Sequence, residues 1–286
     1  MATPIQMRSF TPIFNLTLLA SSLALAACVG DQPINLETRP ISLDQTAEIT
    51  PVAASADAAT VARLGPATSP TYVTLTIAHY DAASMPMSSN NATPITSGSG
   101  FVVSGDGYVV TAAHVGVAVG NEVSARAANE RIYTGIVSAI DRSNDLALIK
   151  LRSFIGRAAI PAAPACLAKD SLVFTYGKPH GKGDTARLGS LQAMHFGRPV
   201  VYGNYGYSDA MVLHMGTQRG ESGGPVFNGK GQLIGMVVST LSNAEGESIS
   251  MAHAQHSNTI ARFLCANGVC APAWQALAAK PVDSCG

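Results

Sequence analysis

Three short segments of this 286-residue chain carry a histidine, an aspartate and a serine in settings suited to covalent chemistry. His114 follows the apolar run Val110-Thr111-Ala112-Ala113. Asp145 opens the stretch Asp145-Leu146-Ala147-Leu148-Ile149-Lys150-Leu151. Ser222 lies inside Gly220-Glu221-Ser222-Gly223-Gly224-Pro225. A serine hydroxyl is a weak nucleophile at neutral pH, and a neutral imidazole within hydrogen-bond reach takes its proton as it attacks a carbonyl. A carboxylate on the other ring nitrogen fixes the tautomer and stabilises the imidazolium that forms. Singly, each residue has a plainer role: a packed core histidine, a turn aspartate, a serine in a tight loop. Together, in the order His, Asp, Ser, they point to nucleophilic catalysis.

The elements that must hold these residues read as short strands. Thr71 to Ile77 alternates polar and apolar residues as a half-buried strand does. Gly100 to Ser104, the turn Gly105-Asp106-Gly107 and Tyr108 to Thr111 form a hairpin pattern. Leu146 to Leu151 and Leu172 to Tyr176 are further strand runs, and Pro225-Val226-Phe227 with Leu233 to Val238 makes a second hairpin. Many short strands separated by turn signals argue for an all-β barrel or sandwich. Near the end, Ser257 is placed to cap a helix over Asn258 to Leu264, with Gly268 as a stop.

Composition narrows the function classes. Apolar residues make up 47% of the chain, ample for a core, and charged residues only 13%. Lys plus Arg and Asp plus Glu both number 18, for a net charge of zero, which suits no nucleic-acid partner, because a phosphate backbone is bound through clustered cations. No run reaches the ~20 apolar residues a membrane-spanning helix needs. Residues 1–27 read as a signal peptide, with Arg8 ahead of an apolar core from Ile13 to Ala27. Leu25-Ala26-Ala27-Cys28 resembles the bacterial lipoprotein box, which implies cleavage before Cys28, lipidation there and membrane contact through that anchor alone. Val29 after Cys28 leans towards the outer membrane where a sorting rule applies. The expected location is the cell envelope, facing the periplasm. The proline-punctuated residues 28–70 read as a flexible tether. The other cysteines, Cys166, Cys265, Cys270 and Cys285, suit two disulfides in an oxidising compartment, with three connectivities open. A zinc site is disfavoured, since neither CxxC nor HExxH occurs. His79, His180, His195, His214 and His256 show no ligand spacing, and no metal or cofactor is expected.

Thr111-Ala112-Ala113-His114, Asn144 to Leu151 and Gly220 to Pro225 resemble the three active-site segments of chymotrypsin-like (trypsin-like) serine proteases, most closely the bacterial high-temperature-requirement branch. The resemblance implies an all-β fold of two six-stranded antiparallel barrels with a short C-terminal helix. The protease domain would span residues 71–264, and residues 265–286 would be a cysteine-containing tail with no room for the PDZ domain common in that branch. It implies a serine endopeptidase with a His114-Asp145-Ser222 triad, an oxyanion hole from the N–H groups of Gly220 and Ser222, a Ser222 acyl-enzyme and polypeptide substrates. Gly220-x-Ser222-x-Gly224 also fits the nucleophile elbow of α/β-hydrolases, but that fold needs a helix straight after the serine, and Pro225 and a hairpin stand there.

The departures from the pattern bear on activation and specificity. Glu221 stands where the digestive branch has an aspartate that pairs with a newly cut N-terminus, and no matching cleavage site precedes Thr71. The site is therefore expected to be preformed or ordered by substrate. Gly216 stands where the trypsin branch has an acid, which argues against basic P1 residues. Gly216, Thr217 and Gln218 with Ser239 to Leu241 would form the pocket wall, and His253 its floor. A histidine there with Thr217 is similar to glutamyl endopeptidases, while a hydrogen-bonded structural histidine is the favoured reading. Two further readings keep the fold: a non-catalytic binding or scaffold protein, and a small-ester hydrolase. The natural substrate and oligomeric state stay open.

Overall fold

The computed structural model describes residues 34–35, 54–78, 95–154, 156–181, 184–242 and 248–285. Residues 1–27, Cys28 and most of the expected tether lie outside them. In chain order the elements are β1 (Ile34–Asn35), α1 (Ala54–Thr68), β2 (Tyr72–Ala78), β3 (Ile95–Val102), β4 (Tyr108–Ala112), α2 (Ala113–Gly116), β5 (Glu122–Ala127), β6 (Ile132–Asp141) and β7 (Leu146–Leu151). There follow β8 (Leu172–Gly177), β9 (Thr185–Ala193), β10 (Val200–Tyr202), β11 (Tyr205–Tyr207), β12 (Met211–His214), β13 (Pro225–Asn228), β14 (Leu233–Ser242), β15 (Ser248–His256), α3 (Ser257–Ala266) and α4 (Pro272–Ala278).

Two closed six-stranded barrels result, β2-β3-β4-β7-β6-β5 and β12-β15-β14-β13-β8-β9, with every strand pair within them antiparallel. Closure pairs every edge strand, so no ladder is left open. The first barrel is centred on the apolar runs of β4 and β7, where Val109, Val110, Leu146, Leu148 and Ile149 are all buried. The second packs Val173, Leu191, Met211, Leu213, Val226, Ile234 and Val237 inside. The alternation in β2 predicts one buried face, yet Tyr72, Val73, Thr74 and Leu75 are all buried. The outer face of β2 meets the other barrel, with the rings of Tyr72 and Tyr176 5.5 Å apart.

From Ala54 onward the expected tether is helix α1 rather than extended chain. Leu64 is buried, the Thr68 hydroxyl lies 3.2 Å from that of Tyr176, and Arg63 Nη1 donates to the Gly229 carbonyl at 3.1 Å. The residues after α3 are likewise docked. Cys166 is bridged to Cys285 and Cys265 to Cys270. Trp274 of α4 is buried and its indole N–H donates to the Val103 carbonyl at 3.1 Å. Among the described residues no helix is long and apolar enough to cross a membrane.

One addition stands outside both barrels. Between β9 and β12 the chain makes the hairpin β10–β11, turning at Gly203-Asn204, and β1 pairs in parallel with β10. The hairpin lies over α2, which carries His114, and over the turn that carries Asp145.

Candidate active site

Strand register brings the first two residues together. Ala112 of β4 pairs with Leu146 of β7, so the next residue of one strand and the preceding residue of the other face each other across the barrel rim. The Ala113 N–H donates to the Asp145 carbonyl at 3.1 Å. The His114 N–H donates to Asp145 Oδ1 at 3.0 Å, and His114 Nδ1 lies 2.8 Å from Oδ2. Asp145 is fully buried, whereas the His114 side chain stays 22% exposed, able to meet a substrate. Asp145 has φ of 50°, a conformation uncommon for a non-glycine residue and concentrated at functional sites. The preceding turn is held by Asp141, whose Oδ1 accepts from the N–H groups of Ser143 and Asn144.

Ser222 comes from the second barrel and meets the first at the seam. The Ser99 N–H of β3 donates to the Ser222 carbonyl at 2.9 Å, and the Ser99 hydroxyl donates to the Gly220 carbonyl at 2.9 Å. The Thr111 hydroxyl, beside the His114 segment, donates to the Ser99 carbonyl at 2.7 Å. Glycine is obligatory at two positions here. A Cβ at Gly223 would sit 2.1 Å from the Ser99 oxygen, and one at Gly220 2.3 Å from the Lys178 oxygen; both have positive φ. Among the described residues, the Ser222 hydroxyl and the N–H groups of Gly220 and Ser222 make no hydrogen bond. The Ser222 hydroxyl thus makes no hydrogen bond to His114 here; catalytic hydrogen bonds often tighten only once substrate is bound.

Glu221 is fully buried, and it pairs with Arg187 of β9. Arg187 Nε donates to Glu221 Oε1 at 2.5 Å, and the Gln218 N–H donates to Oε2 at 2.5 Å. Burial pushes the Glu221 carboxyl above its usual range, against the pull of Arg187.

The expected pocket residues are largely committed to one another. The Thr217 hydroxyl lies 2.7 Å from that of Thr240. Ser239 Oγ and His253 Nδ1 both contact the Tyr207 hydroxyl, at 2.7 and 2.8 Å. His253 is fully buried and its ring centroid is 4.2 Å from that of Phe196. Burial pushes its pKa down to about 4, so the imidazole is neutral at neutral pH and supplies no cation for an acidic P1 residue. Its Nδ1 is hydrogen-bonded, while its Nε2 is buried with no hydrogen-bond partner among the described residues. A Cβ at Gly216 would meet only Ser250 Oγ, at 3.8 Å.

Sequence reasoning missed Tyr202, Tyr205, Tyr207 and Arg187. Tyr202 donates a hydrogen bond to Asp145 Oδ2, and its ring meets that of His114 edge-on at 5.6 Å. Burial and the Asp145 charge push the Tyr202 phenol far above its usual range, keeping it a donor. Tyr205 stands edge-on to His114 at 6.3 Å. Tyr-Gly-Asn-Tyr is itself a two-residue hairpin signature, but it says nothing of what the hairpin covers.

Residues 98–236 match the family described as "Trypsin-like peptidase domain". Over 172 residues the chain is 31% identical to "Serine protease HTRA2, mitochondrial" of Bos taurus, spanning 57% of this chain and 35% of that protein. Over 167 residues it is 30% identical to the "Probable periplasmic serine endoprotease DegP-like" of Buchnera aphidicola subsp. Baizongia pistaciae, spanning 57% and 34%. The chain thus spans about a third of the length of these curated relatives. Its fold is similar to that of the Rv3671c protease from M. tuberculosis in its active form, with a TM-score of 0.60 at 22% identity over 86% of this chain and 98% of that one. It is also similar to the HtrA-type protease AlgW with tripeptide, with a TM-score of 0.59 at 22% identity over 74% and 63%.

Proposed function

We propose that this chain, which carries a trypsin-like peptidase domain over residues 98–236, is a serine endopeptidase of the cell envelope. The observation that carries the reading is the buried Asp145 carboxylate on His114 Nδ1, together with the Ser222 carbonyl that the Ser99 N–H of β3 holds at the barrel seam. Asp145 fixes the tautomer of His114, so that Nε2 is the atom available to take the Ser222 proton. The attacked carbonyl oxygen becomes an oxyanion, stabilised by the N–H groups of Gly220 and Ser222. His114 then returns the proton to the leaving amine, and water resolves the acyl-enzyme by the same steps in reverse. The substrate is a polypeptide, and no residue of this scheme requires a metal or cofactor. The pairing of buried Glu221 with Arg187 supports a site set without activation cleavage. The paired cysteines and the DegP-like relatives support export, and Cys28 is the proposed lipid anchor.

A fluorophosphonate probe with peptide and ester turnover tests this. Labelling is expected in the folded protein and absent from Ser222→Ala. The kcat for a cleaved peptide should fall roughly 10⁴–10⁶-fold in Ser222→Ala or His114→Ala. No labelling of folded, unmodified protein would favour a scaffold, and turnover of esters alone a small-ester hydrolase.

A further inference from the structure

The hairpin carrying Tyr202 is gripped at its base by a second cluster, remote in sequence from the triad. His195 follows β9, Asp209 precedes β12 and His256 ends β15, and one ligand atom from each lies within 4.8 Å of the other two. In every case the remaining polar atom is already held. Asp209 Oδ1 accepts from the N–H groups of Phe196 and Gly197, both at 3.0 Å, which leaves Oδ2 against His195 Nδ1. His195 Nε2–H donates to Asp283 Oδ1 at 2.5 Å. His256 Nε2–H donates to the Met194 carbonyl at 2.7 Å. Both imidazoles are thereby oriented with Nδ1 as the remaining ligand atom. A carboxylate or carbonyl on the far ring N–H is the outer support that metal-bound histidines use.

We propose that His195 Nδ1, Asp209 Oδ2 and His256 Nδ1 bind one divalent ion of the zinc class, which replaces the proton between His195 and Asp209. Two imidazoles and a carboxylate suit such a borderline ion. Tetrahedral bonds of about 2.1 Å place ligand atoms about 3.4 Å apart, so the widest pair of the set draws in by at most little more than an ångström while the His195–Asp209 pair opens. The cluster lines a cavity of about 600 Å³ that leaves room for water as a fourth ligand. The ion would tie both ends of the hairpin segment to β15 and, through Asp283, to the C-terminal residues. This reverses the expectation that His195 and His256 have no ligand role. Their partners come from separate strands, which no sequence spacing could show.

The test titrates chelator-treated full-length protein with Zn²⁺ against a chromophoric chelator, then with Co²⁺ while the visible spectrum is recorded. One equivalent of Zn²⁺ should bind, the melting temperature should rise, and Co²⁺ should give the bands of a four- or five-coordinate site. His195→Gln and Asp209→Asn should each weaken Zn²⁺ affinity at least ~100-fold, and Asp283→Asn about 10-fold. The side-chain amide of Asp209→Asn keeps an oxygen for the Phe196 and Gly197 N–H groups, and circular dichroism checks that each variant is folded. Absence of saturable Zn²⁺ binding would overturn the site. So would one equivalent held equally well by the His195→Gln/Asp209→Asn double variant; His195 would then be an ion pair with Asp209 and Asp283 only.

Discussion

Asp145 accepts from three directions at once: His114 Nδ1, the His114 backbone N–H and the Tyr202 hydroxyl. A carboxylate buried without water depends on such donors, since each unmet lone pair costs on the order of 1–3 kcal/mol. Tyr202 is therefore a positioning residue for the pair proposed to activate Ser222. Tyr202→Phe keeps the ring beside His114 and removes only the donor. We expect kcat to fall about tenfold with KM nearly unchanged, because the lost interaction orients the base rather than the substrate; a kcat within twofold of the parent would refute this. His253 makes a different prediction. Its pKa is pushed down by burial to about 4, with Asp209 opposing and Arg198 assisting, and the neutral Tyr207 hydroxyl on Nδ1. The unfolded chain then binds a proton that the native state refuses between about pH 6.5 and 4. Stability contributed by neutral His253 is present above pH 6.5 and drains away as pH falls through that window, by up to about 3 kcal/mol. Denaturant midpoints across pH 4–7 should show a shallower acid decline in His253→Gln than in the parent.

At the scale of elements, the strands that bear the chemistry were the legible ones. β2, β4, β7, β8, β13 and β14 are short apolar or alternating runs, several of them bounded by glycine turns, and α3 has its cap and stop. β5, β6 and β9 escaped because they carry small or polar residues on half-exposed faces, such as Thr134, Ser138 and Ser190, and take their order from closing the barrel. α1 hid behind Pro66, which reads as a linker residue although it lies within the helix. The site divides the same way: His114, Asp145, Ser222 and the glycines sit in local motifs, whereas Arg187 and Tyr202 act through contacts 34 and 57 residues away. Removing one partner of a buried pair strands the other charge at about 3–5 kcal/mol, while removing both is often close to neutral. Arg187→Met should lower the melting temperature and cut kcat/KM about 100-fold as the Gln218–Ser222 turn loosens. Adding Glu221→Gln should restore most of the stability. If Arg187→Met melts like the parent, the pair does not hold the loop. N-terminal sequencing of the mature protein should also find no cut just before β2.

Across the whole molecule, the C-terminal segment works as a strap over both barrels. Cys285 is bridged to Cys166 ahead of β8, while Trp274 of the strap reaches the first barrel through the Val103 carbonyl. The Asn258 amide of α3 donates to the carbonyls of Leu277 and Lys280, which ties the strap to the helix it follows. The bridge spans 119 residues, and closing so long a loop restricts the unfolded chain enough to stabilise the fold by roughly 2–5 kcal/mol. Detaching the strap should leave the His114–Asp145 pair in place but the fold easier to unfold. Trp274 is the chain's only tryptophan and is 2% exposed, so it reports the strap directly. Cys285→Ser should lower the melting temperature by several degrees. If α4 then undocks before the barrels melt, Trp274 emission will shift to the red at a temperature where peptide turnover persists. Coincident loss of both signals would instead make the strap part of one cooperative unit with the barrels.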